Sequence, residues 1–135
     1  MTDPSSLEVL LIDDEKNIRT ILGICLEGLG CRVSWAATAE AARTAVASRS
    51  FDLAFLDLRL GETNGLDLLP GLLAQQPALA VVVVSAHAAL DAAVDAIQRG
   101  AVDYLPKPFT PAQIRYVVLH LDERRQAMRP PADLD

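Results

Sequence analysis

No apolar run in this chain is long enough to cross a bilayer. The longest, residues 78–84, falls far short of the roughly 20 residues a spanning helix needs, so no membrane partner is expected. Basic charge is scarce as well. Lys and Arg number 12 against 18 Asp and Glu, for a net charge of −6. That argues against direct nucleic-acid binding by this segment, because phosphate backbones attract basic patches. Cysteine is limited to Cys25 and Cys31, without metal-type spacing. Residues 1–8 carry neither the basic cluster nor the apolar stretch of a secretory leader. Both cysteines therefore read as reduced core residues of a cytoplasmic protein. Internal repeats, low-complexity tracts and a Walker-type Gly-rich loop are missing too.

What the chain has in quantity is apolar side chains, 51% of 135 residues. That suits one domain with a real core and excludes extensive disorder. Strand and helix patterns alternate five times. Strands are predicted at 8–12, 31–36, 53–57, 80–85 and 102–105. Helices are predicted at 17–29, 38–47, 65–75, 90–99 and from 111 onward. The first helix carries Ile18, Ile21, Leu22, Cys25, Leu26 and Leu29 as its apolar stripe. The fourth is expected to turn Leu90, Ala93, Val94 and Ile97 inward, and the fifth Ile114, Val117, Val118 and Leu121. Thr38 and Thr110 are N-caps, the second followed by Pro111 at the first helical position. Pro70 and Gly71 interrupt the third helix, where a proline removes a donor and crowds the preceding turn. A kink or a broken first turn is predicted near residues 66–70. Residues 61–64 are expected to be a loop. Five βα units of this size imply an α/β, flavodoxin-like doubly wound sandwich with a parallel sheet of order 2-1-3-4-5.

The candidate chemistry sits at strand ends. Residues 9–12 run into Asp13 and Asp14, and residues 51–56 run into Asp57. In the predicted order these ends share one crevice outside the carboxyl ends of the strands, where such sheets bind ligands. Three convergent carboxylates repel one another and call for a hard cation. Magnesium suits them, with Asp13, Asp14, Asp57 and the backbone carbonyl of Arg59 as ligands. Asp57 is the candidate nucleophile, Lys107 the cation that would neutralise phosphoryl oxygens, and Ser85 a hydroxyl donor. Singly, each has a plainer reading: Asp14 as a helix cap, Asp13 as a solvated strand end, Asp57 as a turn residue, Ser85 as a satisfied hydroxyl, Lys107 as a surface charge. All five fall at the carboxyl ends of strands one, three, four and five, which singles out the joint reading.

The segments Leu11-Ile12-Asp13-Asp14-Glu15, Phe55-Leu56-Asp57-Leu58-Arg59-Leu60, Asn64-Gly65-Leu66, Val84-Ser85-Ala86-His87 and Asp103-Tyr104-Leu105-Pro106-Lys107-Pro108-Phe109 resemble the receiver domains of two-component response regulators. The resemblance spans residues 7–125, with 126–135 a C-terminal tail or the start of a linker. It implies that Asp57 accepts a phosphoryl group from a sensor histidine kinase and that Asp13 and Asp14 hold Mg2+. Lys107 would pair with the phosphoryl group, Ser85 and Tyr104 would form the switch pair, and Lys107-Pro108 would be a cis peptide. Arg59 and His87, two residues past Asp57 and Ser85, match positions that tune phosphoryl lifetime; His87 reads equally well as a solvent-exposed residue. Asp57-Leu58-Arg59-Leu60-Gly61 with Asn64-Gly65-Leu66-Asp67 resembles the nitrogen-regulator type, and within it the alginate-biosynthesis regulators. Those carry an ATPase module for sigma-54 polymerase and a DNA-binding domain. No such module lies within this sequence, which is then an isolated receiver piece or a single-domain regulator. Tyr116, Leu119 and Met128 form a second apolar set on the fifth helix, consistent with a homodimer contact.

Three other classes compete. An aspartyl-phosphate phosphatase would need an acid where Arg59 stands. A flavin module would need a Ser/Thr/Gly-rich loop in place of Asp13-Asp14-Glu15-Lys16. A pseudo-receiver would bind partners without phosphorylation.

Overall fold

The alternation of buried runs and amphipathic helices produces a five-stranded parallel sheet. It is seen in a computed structural model that describes residues 7–86 and 90–121. The elements are β1 (Glu8–Ile12), α1 (Lys16–Gly28), β2 (Arg32–Ala36), α2 (Ala39–Ser48), β3 (Leu53–Asp57), β4 (Arg59–Leu60), β5 (Thr63–Asn64), α3 (Gly65–Gln75), β6 (Ala80–Ser85), α4 (Leu90–Gln98), β7 (Asp103–Pro106) and α5 (Pro111–Leu119). The sheet runs β2-β1-β3-β6-β7, all parallel. With the two-residue strands β4 and β5 set aside, that is the predicted order 2-1-3-4-5.

Every residue of β3 and β6 is buried. Helices cover both faces, so these strands need no polar alternation. The strand period of two still sorts side chains between two cores. Leu10, Ile12, Ala54, Leu56, Val81 and Val83 pack with α2, α3 and Ala96 on one face. Val9, Leu11, Leu53, Phe55, Val82 and Val84 pack with α1 and α5 on the other. Each fully buried Val or Leu contributes roughly 1.5–3 kcal/mol. Cys31 lies in the second core, where burial pushes its thiol pKa up to about 11. Among the described residues, no helix is long and apolar enough to cross a membrane.

Local signals act as their chemistry requires. The Thr38 hydroxyl accepts from Ala41 N, and Thr110 with Gln113 forms a reciprocal capping box. Four expectations need correction. Residues 61–64 are not a plain loop: β4 and β5 pair as a hairpin turned at Gly61, whose φ is +60°. The first turn of α3 is not broken. The helix runs from Gly65 to Gln75 with Pro70 inside it, capped by the Asn64 side chain. On α4, Val94 and Ile97 face outward, and the small Ala96 is the residue buried against the sheet. The side chain of Leu90 lies outside the described residues. On α1, Ile21 is half exposed, leaving Leu22 and Leu26 as the buried stripe. On α5, Ile114, Val117, Val118 and Leu121 are buried as expected, while Tyr116 and Leu119 are exposed. His87, Met128 and the proposed tail lie outside the described residues.

Candidate functional site

The site grows from the carboxyl ends of four strands. β1 ends at Ile12, so Asp13 and Asp14 begin the loop to α1; β3 ends in Asp57 and β6 in Ser85; Lys107 follows β7. One carboxylate oxygen each of Asp13, Asp14 and Asp57 lies within 4.8 Å of the others. Asp13 and Asp57 are only 3% and 5% exposed, whereas Asp14 is exposed.

Lys107 reaches into this cluster. Its Nζ is 3.3 Å from Asp13 Oδ2, 3.3 Å from Asp57 Oδ2 and 3.2 Å from Glu15 Oε1. Its backbone N–H donates to Ser85 O at 2.8 Å, which ties the lysine to the end of β6. The peptide between Lys107 and Pro108 is cis.

The carboxylates are individually positioned. Asp13 Oδ1 accepts from Glu15 N at 2.8 Å, and Asp57 Oδ1 from Arg59 N at 3.1 Å. Asp14 does not cap α1; its Oδ2 accepts from Gly61 N at 2.9 Å, across to the hairpin. Burial of the Asp13 carboxyl lifts its pKa from 3.8 to about 6. The Glu15 N–H and Lys107 pull it down, and the nearby Asp57 charge adds to the rise. Burial pulls the Lys107 ammonium down, but Asp13 and Asp57 outweigh that and hold it above the ordinary lysine value. Lys107 therefore stays cationic at neutral pH.

The donor set is all oxygen and mostly anionic, which suits a hard divalent cation. In an octahedral magnesium site with bonds of about 2.1 Å, two ligands stand at most roughly 4.2 Å apart. Three carboxylate oxygens held within 4.8 Å of one another match that scale, so the residues fit the ion.

Beside the cluster lies a cavity of about 440 Å³, lined by Arg59, Thr63, Asn64, Leu66, Ser85 and Ala92 among others. Arg59 itself is exposed, and Tyr104 is half-buried against the α2–α3 core. Asp13, Asp14, Asp57, Lys107, Ser85 and Arg59 thus converge; Tyr104 stands on the neighbouring strand β7, one residue before Leu105.

Sequence reasoning missed three contributors. Glu15 pairs with Lys107, and a carboxylate next to an acidic pair was its only signal. Gly61 N–H holds Asp14, and only its positive φ would have marked it. Gly65 lets α3 start against β3: its N–H donates to Leu58 O at 2.8 Å, and a Cβ there would fall on the Asp57 carbonyl oxygen.

Comparison with known proteins agrees with this geometry. Residues 9–119 match the response regulator receiver domain. The chain is 50% identical over 118 residues to the alginate biosynthesis transcriptional regulatory protein AlgB of Pseudomonas putida, covering 87% of this chain and 26% of that one. It is 36% identical over 122 residues to the DNA-binding transcriptional regulator NtrC of Salmonella typhimurium, with the same coverages of 87% and 26%. The chain thus spans about a quarter of the length of these relatives. Among solved structures, NtrX of Brucella abortus in complex with ADP superposes with a TM-score of 0.84 at 31% identity, over 96% of this chain and 31% of that one. A CheY-like receiver domain protein of Methanospirillum hungatei superposes at 0.82 with 29% identity, over 90% of this chain and 99% of that one. On the matched family and these relatives, the chain belongs to the response regulator receiver domains of two-component signalling, on the AlgB and NtrC side of that family.

Proposed function

We propose that this domain is a phosphorylation switch in which Asp57 accepts a phosphoryl group from a sensor histidine kinase. The observation that carries the reading is a buried carboxylate, Asp57, held 3.3 Å from a cationic Lys107 inside a three-carboxylate cluster. The Asp57 carboxylate oxygen attacks phosphorus, the P–N bond of the donor phosphohistidine breaks, and the imidazole leaves as its nitrogen takes up a proton. Asp13, Asp14, Asp57 and the Arg59 carbonyl would hold Mg2+, which would supply charge neutralisation for the phosphoryl oxygens. Lys107 supplies the second positive charge, and Ser85 at the strand end donates its hydroxyl to a phosphoryl oxygen. Arg59 and, from its place in the sequence two residues past Ser85, His87 set its lifetime by controlling water. The domain thus holds the phosphoryl group and does not turn over a substrate.

The output is a repacking. As the Ser85 hydroxyl moves to the phosphoryl group, Tyr104 turns inward, and the surface of α4, β7 and α5 changes between two pre-existing states. That surface exposes Val94 and Ile97 on α4 and Tyr116 and Leu119 on α5. It forms a homodimer contact in this reading. A protein that continues past this chain as AlgB and NtrC do would use the dimer to control sigma-54-dependent transcription through ATPase and DNA-binding domains.

The test is intact mass after phosphoramidate or acetyl phosphate, with and without Mg2+, beside Asp57→Ala. The reading expects one phosphoryl group, gained only with Mg2+ and only in the wild type. No gain in the wild type from either small donor or from a phosphorylated kinase would leave a pseudo-receiver. Sedimentation of Leu119→Ala, before and after phosphorylation, tests the dimer surface separately.

A further inference from the structure

Pro70 sits inside α3, and a proline has no backbone N–H. The carbonyl four residues earlier, Leu66 O, therefore lacks its normal helical donor. Arg99 supplies one from another element: its Nη1 lies 3.0 Å from Leu66 O. The same guanidinium reaches Asp67 Oδ1 at 3.3 Å, and through Nε it reaches Asp95 Oδ1 of α4 at 2.9 Å. One side chain just past α4 thus bonds both the first turn of α3 and α4 itself. The next residue tightens the same junction. Gly100 has φ +112°, and a Cβ on it would stand 2.6 Å from Leu73 Cδ1 of α3.

The other side of that α3 turn is the strand carrying Asp57. Gly65 N–H donates to Leu58 O, and Gly65 is packed so closely that no Cβ fits against the Asp57 carbonyl. A chain of backbone contacts, one helical turn and one guanidinium therefore links Asp57 to the C-terminal end of α4. The exposed ion pairs with Asp67 and Asp95 contribute little alone. The carbonyl bond is the specific element, because the proline vacates an acceptor that a helix normally fills itself.

We propose that Arg99, given its acceptor by Pro70, couples Asp57 to α4 by a route that bypasses Ser85 and Tyr104. The first turn of α3 and the C-terminal end of α4 move as one body. A displacement of the β3–α3 junction when Asp57 is modified is delivered to the outward residues Val94 and Ile97. This rests on Asp57 being the phosphoryl acceptor.

The test is amide hydrogen exchange across α4 in the wild type, Arg99→Met, Pro70→Ala, their double variant, Ser85→Ala and Ser85→Ala with Arg99→Met. Each is measured with and without beryllofluoride plus Mg2+ as a phosphoryl mimic. Without the mimic, Arg99→Met raises exchange of α4 amides about tenfold while β1 and β3 stay protected. Pro70→Ala restores a helical donor to Leu66 O, so Arg99→Met has a smaller effect in that background, and the two changes are not additive. With the mimic, Ser85→Ala retains part of the α4 response, and Ser85→Ala with Arg99→Met loses it. Unchanged α4 exchange in Arg99→Met, or strictly additive effects, overturns the proposal. If the mimic leaves even the Asp13 and Asp57 amides of the wild type unmoved, the phosphoacceptor reading fails and the proposal falls with it.

Discussion

The two ends of the parallel sheet are built from the same residue types and behave as opposites. At the amino end, Glu8 is met by two guanidinium groups, Arg32 at 3.3 Å and Arg49 at 3.2 Å. Asp52 Oδ2 accepts from Glu8 N at 2.9 Å. Gln76 closes that end: its Oε1 accepts from Phe51 N, and its Nε2 donates to Val46 O and Arg49 O. Two guanidinium groups thus stand beside two acids there. At the carboxyl end, Asp13, Asp57 and Glu15 share a single ammonium, and Asp14 has the Gly61 N–H. Arg19 lies near but directs its guanidinium to the Asp13 carbonyl at 2.7 Å and over the Trp35 ring. A balanced set of charges reads as structure. A set short of positive charge, in a buried place, reads as a site suited to a cation.

The sharpest way to break the contrast is to remove the shared cation. Lys107→Ala leaves two buried carboxylates without a counter-charge. In urea unfolding at pH 7 without divalent ions it should lose about 3 kcal/mol, in the range for breaking a buried pair, and Mg2+ should restore part of the loss.

Asp13→Asn works the other way. The Asp13 carboxyl holds its proton more tightly folded than unfolded, at about 6 against 3.8. Its contribution is therefore fully favourable below about pH 4 and is lost as pH rises through about 6. Metal-free Asp13→Asn should be more stable than wild type at pH 7 by on the order of 2 kcal/mol. The gap should close toward pH 4, and calorimetric titration should show Mg2+ bound at least about tenfold more weakly. An equal gap at both pH values would mean that the carboxyl is not strained.

The amino end should respond in stability alone. Gln76→Ala orphans one N–H and two carbonyls and should cost about 2 kcal/mol, with Mg2+ affinity unchanged in the same titration. Smallest is Arg32→Ala, an exposed pair whose loss should be within about 0.5 kcal/mol and should shrink further in high salt. A large Mg2+ effect from either variant would erase the distinction between the ends.

Much of this was readable from the residues because strand ends announce themselves. Apolar runs closing in Asp13-Asp14, Asp57 and Ser85 fixed both the strands and their carboxyl ends, and Thr38 and Thr110 marked two helix starts. What was not readable depended on partners distant in sequence. Val94 and Ile97 form an apolar stripe on their helix, and periodicity alone does not say whether that stripe meets the sheet. The hairpin over Arg59–Leu60 and Thr63–Asn64 has too few residues for a strand pattern and is held by Asp14 from another loop. Pro70 correctly signalled a lost helical bond, but the arginine that replaces the donor lies past the next strand and helix.

The position of Lys107 in the chain also has a consequence for biosynthesis. It lies 94 residues after Asp13 and 50 after Asp57, the carboxylates it neutralises. On the ribosome, β1 and β3 are available to pair well before β7 emerges. A nascent chain that closes the sheet early would bury Asp13 and Asp57 with no ammonium between them. The carboxyl end of the sheet therefore reaches its charge balance only when the last strand is in place.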